Sequence, residues 1–297
     1  TDGSYSFDAS SYDSLADGVT QDIVVNYTAT DNDGGVSDPQ TLTITITGTN
    51  DAPVATAGSN SVDEDASVSG SVSATDVDDA IASYTLVGAG PTGLSFNPVN
   101  GSYDFDASSY DSLAFGQTMD VSFDFYATDA FGADSNTETV TITITGTNDV
   151  PVVTATTNSV VEDLTVTGNV PAATDVDTGA TIASYQLTAA APTGLTFNTD
   201  GSYSFDASSY DSLAVGEPLD IVVNYTATDD QGGVSDPQTL TITITGTNDA
   251  PVAVASTNSV AEDATVNGNV SAGSDVDGTI ASYQLTAAAP TGLTFNT

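Results

Sequence analysis

Thr41-Leu42-Thr43-Ile44-Thr45-Ile46-Thr47 alternates apolar and hydroxyl side chains at a strict period of two. Successive side chains of an extended chain point to opposite faces, so the stretch predicts a β-strand with Leu42, Ile44 and Ile46 inward and the threonines outward. It recurs at Val140 to Thr145 and at Leu240 to Thr245. Upstream, Ile23 to Ala29 predicts a second strand, with Ile23, Val25, Tyr27 and Ala29 inward. Ser61-Val62, Val68 to Val72, Ile81 to Leu86 and Ser102 to Phe105 add further strands. Each copy then holds about seven short strands separated by Gly, Asp, Asn and Pro turns, the pattern of a β-sandwich. No segment carries a 3.6-residue apolar period. The stretch from Phe7 to Leu15 reads as a short helical or looping crossover between sheets.

Working outward from the strand, Asn50-Asp51-Ala52-Pro53-Val54 recurs as Asn148-Asp149-Val150-Pro151-Val152 and Asn248-Asp249-Ala250-Pro251-Val252, 98 and 100 residues apart. Each block has the size of one sandwich domain. Gly3 to Leu15 matches Gly201 to Leu213 residue for residue, and Gly101 to Leu113 differs only at Asp104. With the Asn-Asp block as linker, residues 1–49 are the second half of a repeat. Residues 50–147 and 148–247 are complete repeats, and 248–297 are the first half of another. Half a sandwich leaves an apolar face open. The chain is then an excerpt of a continuous fibre, or its halves complement each other between molecules.

The charge narrows the function classes. The 297 residues contain 41 Asp and Glu and no Lys, Arg or His, a formal charge of −41. Such a chain repels itself in the compact state, and divalent cations or salt must offset this. Nucleic acid is excluded as an electrostatic partner and an anionic membrane is disfavoured, since no cation faces a phosphate. No apolar run is long enough to insert in a membrane. Cysteine is absent, which excludes disulfides and thiolate metal sites. Without His, Cys or Lys there is no base or nucleophile poised near neutrality, and carboxylate pairs copied in every repeat are unlike a catalytic site. The chain reads as a non-enzyme.

The acidic residues recur at turns in four registers. The linker supplies Asn50 and Asp51, Asn148 and Asp149, Asn248 and Asp249. Glu64 and Asp65, Glu162 and Asp163, and Glu262 and Asp263 follow it. Asp-Val-Asp turns supply Asp76 and Asp78, Asp175 and Asp177, Asp275 and Asp277. A fourth turn supplies Asp31 and Asp33, Asp129, and Asp229 with Asp230. Ca²⁺ takes about six to eight hard oxygens at roughly 2.3–2.6 Å, and Asp-x-Asp in a turn aims two carboxylates at one ion. Carboxylates packed together with no ion raise each other's pKa. The expectation is Ca²⁺ at these positions, stiffening the joints between repeats. Asp8 and Asp13 and their copies read instead as solvated or helix-capping residues. Tyr5, Phe7, Tyr12 and Tyr27 read as core.

Val161 to Gly168, Ala173-Thr174-Asp175-Val176-Asp177, Gly201 to Phe205, Tyr225 to Gly233 and Gly246 to Val252, taken together, resemble the VCBS repeat family. These are bacterial cadherin-like domains of giant RTX-type surface adhesins. The resemblance implies immunoglobulin-like or cadherin-like Greek-key sandwiches in a linear rod, export to the bacterial cell surface, and a stalk role in adhesion or biofilm. It also implies ligand sets. At the Asp149 joint these are Glu64, Asn148, Asp149, Asp175, Asp177 and Asp229. At the Asp249 joint they are Glu162, Asn248, Asp249, Asp275 and Asp277. Ala130 and Phe131 depart from the other copies, which implies weaker binding at the Asn50-Asp51 joint. The partners expected are neighbouring repeats of the same chain, with end-to-end self-association as the alternative to a passive extender. A third reading, a binding module, requires Phe115, Phe125 and Phe131 to cluster on one surface.

Overall fold

β-Branched and aromatic residues at alternate positions favour a half-buried pleated surface, and they build every long strand of the molecule. The computed structural model describes residues 2–297, and the chain divides into two compact units, Thr1–Asn148 and Asp149–Thr297. In the first unit the strands are β1 (Thr20–Tyr27), β2 (Gln40–Thr47), β3 (Val54–Thr56), β4 (Gly58–Asp63), β5 (Ser67–Ser71), β6 (Ser73–Thr75), β7 (Ile81–Val87), β8 (Leu94–Phe96), β9 (Ser102–Asp106), β10 (Thr118–Asp129) and β11 (Glu138–Thr145). In the second they are β12 (Thr156–Val161), β13 (Thr165–Asn169), β14 (Ile182–Leu187), β15 (Leu195–Phe197), β16 (Ser202–Asp206), β17 (Pro218–Asp229) and β18 (Gln238–Thr245). The fold is all-β.

In the first unit a sheet of order β4-β11-β10-β7 faces a sheet of order β5-β9-β8, with β3 paired to β6 beside them. Tyr103 and Phe105 from one face meet Phe123, Phe125, Val140, Ile142 and Ile144 from the other in a single core. Phe105, Phe125, Ile142 and Ile144 are completely buried, and each such side chain contributes about 1.5–3 kcal/mol. The second unit repeats the arrangement, with β12-β18-β17-β14 over β13-β16-β15. Phe205, Tyr225, Leu240, Ile242 and Ile244 fill its core. These are two tandem immunoglobulin-like or cadherin-like sandwiches. The first strand of each four-stranded sheet, β4 or β12, runs parallel to the last, β11 or β18. The crossover after β9 is a short 3-10 turn at Ser108–Tyr110, with another at Ser10–Tyr12.

Two segments depart from the expected burial. Residues 2–49 form the ladder β1-β2, the turn Ser10–Tyr12 and the isolated bridge Thr30↔Val36, and Tyr5, Phe7 and Tyr27 are 66 %, 38 % and 56 % exposed. Their copies Tyr103, Phe105 and Phe125 are buried, because a second sheet packs over them. Residues 248–297 contain no strand, only the isolated bridge Val252↔Ser274. The neighbours that hold β12, β13 and β14 in place are β18, β16 and β17, and 248–297 holds no counterpart of these.

Candidate metal centres

The first unit gathers one acidic centre around Asn50. The turn after β6 places Asp76 so that its Oδ1 accepts from the N–H of Asp78 at 3.1 Å and of Asp79 at 3.2 Å. This Asx-type bonding is what Asp brings to a turn. It leaves Asp76 Oδ2 buried with no hydrogen-bond donor. At the end of β10 the inward alternation Phe123, Phe125, Ala127 continues to Asp129, so its carboxylate faces inward and the residue is buried. Its Oδ1 accepts from Phe131, Gly132 and Ala133 N–H at 2.8, 2.6 and 2.9 Å, and its Oδ2 accepts from Asn50 Nδ2 at 2.9 Å. Asp51 N–H donates to Asp78 Oδ2 at 3.4 Å. One oxygen each of Asp76, Asp79 and Asp129 lies within 4.8 Å of the others.

Burial within this turn is inverted. Val77 is 54 % exposed, while the carboxylates on both sides of it face inward. Asn50 Oδ1, Asp78 Oδ1 and both oxygens of Asp79 are buried without a donor, like Asp76 Oδ2. Burial raises the Asp78 carboxyl, with its hydrogen bond to Asp76 adding to the effect. Burial also raises Asp79, helped by the charges of Asp76 and Asp129. For Asp129 the Asn50 amide is the largest influence, and with the loop N–H groups it holds the carboxyl low against burial. At Asp76 burial acts upward, but the N–H donors of Asp78 and Asp79 win and the carboxyl is lowered.

The second unit gathers another centre around Asp249. Glu162 follows β12 and is 1 % exposed. Its Oε1 accepts from Thr247 N–H and its Oε2 is buried with no donor. Asp163 adopts φ 66°, a left-handed conformation that only Gly adopts freely, and Asp263 matches it at 64°. Burial raises the Asp163 carboxyl, followed by the charges of Asp211 and Glu162. Asp249 is raised by burial and then by Asp163, Asp277, Glu162 and Asp211. Asp211 Oδ1, Asp249 Oδ2 and Asp275 Oδ1 are buried without donors. Asn248 Nδ2 donates to Asp249 O at 2.8 Å, which orients the linker.

The remaining expected residues are placed as follows. Glu64 is fully buried in the first unit and accepts from Leu113 N–H at 3.0 Å and Thr147 N–H at 2.8 Å. Asp65 Oδ2 accepts from Thr147 Oγ1 at 3.2 Å, and Asn148 closes that unit. In the second unit Asp149 N–H donates to Asp177 Oδ2 at 3.1 Å, and Asp177 N–H donates to Asp175 Oδ1 at 3.1 Å. Asp229 is buried and accepts from Gln231 and Gly233 N–H at 2.8 and 2.9 Å. Asp230 instead accepts from Thr181 N–H at 3.2 Å. Asp31 and Asp33 are exposed, with Asp31 Oδ1 bonded to Asp33 and Gly35 N–H, and Glu262 and Asp263 are also exposed.

Two residues of the centres escaped the sequence reading. Asp79 extends the Asp-Val-Asp run where the other copies have Thr178 and Gly278. It brings a carboxylate to the turn whose Ala130 and Phe131 had implied a poorer site. Asp211 was read as solvated or capping, yet it stands against Asp163 and Asp249. Its recurrence in register with Asp13 and Asp111 was the available signal. Phe115 and Phe131 are exposed on either side of β10, while Phe125 lies in the core, so the three form no surface cluster.

Every donor in both centres is a carboxylate, carboxamide or backbone oxygen, the set a hard divalent cation selects and a soft one does not. Buried charges persist only when paired or bound to a metal, and no Lys, Arg or His exists in the chain to pair them. The residues fit Ca²⁺.

The fold is that of tandem cadherin-like and Ig-like β-sandwiches, a non-catalytic architecture consistent with an extracellular adhesion protein. Residues 50–146 match the bacterial cadherin-like domain, and residues 148–244 match the bacterial Ig domain. Both descriptions fit an extracellular bacterial surface protein. Among solved structures, human protocadherin-24 EC1-2 is 20 % identical over 67 % of this chain and 100 % of that one, with a TM-score of 0.45. The human desmocollin-1 ectodomain is 17 % identical over 84 % of this chain and 51 % of that one, at 0.36. Drosophila N-cadherin EC1-4 is 19 % identical over 80 % and 61 %, at 0.32. Likenesses this remote say nothing of what the chain binds. No curated protein sequence matches. No helix among the described residues is long and apolar enough to cross a membrane.

Proposed function

We propose that the chain is a calcium-stiffened extender of a secreted bacterial surface adhesin, holding a binding region away from the cell in adhesion or biofilm. The repeats in this reading are 1–49, 50–147, 148–247 and 248–297. The observation that carries it is the set of buried carboxylate oxygens without donors around Asn50 and Asp249, in a chain with no cationic side chain. The set around Asp249 brings carboxylates of 148–247 to the linker and to Asp277 of 248–297, so one ion there ties two repeats together and removes a hinge, while the set around Asn50 fixes the linker to turns of 50–147. The VCBS-like motifs support the assignment to giant RTX-type adhesins.

A second reading is a subunit of a self-assembling filament, in which 248–297 of one molecule completes 1–49 of another. Light scattering with small-angle X-ray scattering, in millimolar Ca²⁺ and in EDTA, tests both. A long stiff monomer that loosens on chelation is expected for the extender. Growth in mass with concentration selects the filament. A shape and mass indifferent to chelation overturns the calcium reading.

A further inference from the structure

We propose that the segment following each linker is fastened by one of two interchangeable side-chain anchors, a carboxamide in the first unit and a phenol hydroxyl in the second, and that the anchor positions the linker for the ion. In the first unit β3 pairs on one side with β6, from Val54↔Thr75 to Thr56↔Ser73. Ala55 is buried, so both its backbone groups need partners. The Asn136 side chain supplies them in place of a neighbouring strand. Ala55 N–H donates to Asn136 Oδ1 at 2.9 Å, and Asn136 Nδ2 donates to Ala55 O at 3.3 Å. Asn136 Nδ2 also donates to Glu138 Oε1 at 2.8 Å, which orients the amide. A carboxylate at this position accepts from an N–H but has no proton to give a carbonyl.

The second unit carries that carboxylate, Asp236, and it is exposed. There the counterpart of β3 is reduced to the bridge Val152↔Thr174, and Tyr225 OH donates to Thr154 O at 2.5 Å. Phe125 stands where Tyr225 does. Both rings are completely buried, and the cross-strand pairs Phe125↔Glu138 and Tyr225↔Gln238 match. Three positions therefore change together. Phe125, Asn136 and Glu138 accompany the amide anchor, whereas Tyr225, Asp236 and Gln238 accompany the hydroxyl, and Tyr27, Asp38 and Gln40 repeat the second set. Segment 50–55 is tied twice to segment 129–136, through Asn50 with Asp129 and through Ala55 with Asn136. Asn136 is thus a positioning residue, acting on the ion centre through the linker. In the second unit Tyr225 holds Thr154 on the segment whose Asp149 N–H meets Asp177. The positioning role rests on the calcium reading, and the anchors themselves do not.

Asn136→Asp with Glu138→Gln removes the amide anchor at unchanged net charge. Phe125→Tyr added to that pair supplies the hydroxyl, because a carbonyl such as Thr56 O accepts two bonds. Amide exchange of the full chain in EDTA, read by mass spectrometry, reports local opening. Peptides over 54–56 are expected to exchange about tenfold faster in the double variant and to regain most of their protection in the triple, with 140–145 unchanged in both. Tyr225→Phe, with Asp236→Asn and Gln238→Glu as its rescue, repeats the test in the second unit. Tb³⁺ affinity at the first-unit centre should fall several-fold in the double variant and recover in the triple. Unchanged exchange in the double variant, or a triple variant no better protected, overturns the anchors. Exchange that follows this order while affinity stays fixed overturns the positioning role. A parent chain that binds neither Tb³⁺ nor Ca²⁺ overturns the calcium reading and the positioning role with it, while exchange in EDTA still decides the anchors.

Discussion

Asn50 donates its side-chain N–H to Asp129 Oδ2 at 2.9 Å, across 79 positions of the chain. The bond ties the linker to the end of β10. It also leaves Asn50 Oδ1 buried with no donor. An amide suits this position because one end satisfies a carboxylate while the other offers an oxygen. Asn50→Asp replaces the donor with a second carboxylate facing Asp129. In EDTA the variant is expected to be destabilised by about 1–3 kcal/mol, the penalty of an unpaired buried polar group. Thermal melts in saturating Ca²⁺ should show a smaller loss, because an ion neutralises both carboxylates.

Asp79→Ala removes a carboxylate that only the middle repeat carries. Asp104 is likewise specific to that repeat, but it is exposed and bonds only Ser69 Oγ. Asp79→Ala should weaken the ion site of the first unit tenfold or more, or ~1.4 kcal/mol, whereas Asp104→Ala should leave it unchanged. Tyrosine-sensitised Tb³⁺ luminescence with Ca²⁺ competition measures both. Equal losses in the two variants would reduce the effect to net charge.

Stability of the ion-free chain should rise on mild acidification. Asp79, Asp163 and Asp249 are raised chiefly by burial and then by neighbouring carboxylates, and Asp78 chiefly by burial and then by its hydrogen bond to Asp76. For these groups the folded state holds its proton more tightly than the unfolded state. They therefore destabilise the fold when ionised, and protonation relieves it. Asp76 and Asp129 are lowered. Their contribution is present above the ordinary Asp value of 3.8 and is lost as pH falls through their folded values. The melting temperature in EDTA should climb as pH falls from neutrality through the raised folded values of these groups, and fall again below the ordinary Asp value of 3.8. With Ca²⁺ present it should only fall, since protons compete with the ion. A curve in EDTA that declines from neutrality downward contradicts the first half of this.

Phe205 is completely buried at the centre of the second unit's core, against Tyr210 at a ring separation of 5.8 Å. Phe205→Ala should destabilise that unit by about 3–5 kcal/mol through lost transfer energy and a residual cavity. Urea unfolding should then show the second unit melting well before the first.

What was legible in the sequence was whatever depends on local chemistry. The alternation in Thr41 to Thr47 specifies a strand and its inner face, and Val140, Ile142 and Ile144 are buried accordingly. The Asp-rich turns announced themselves by recurrence. Which carboxylates share a centre was not legible, because Asp211 and Asp249 lie far apart along the chain and meet only once the sandwich has folded. Ile182-Ala183-Ser184-Tyr185-Gln186-Leu187 makes the limit plain, since it is identical to residues 280–285. The first copy is strand β14, hydrogen-bonded along β17, whereas the second forms no strand. A strand's hydrogen bonds belong to a ladder of two chains. Sequence can therefore specify the pattern of a strand, but only a neighbour in the tertiary structure can make it one.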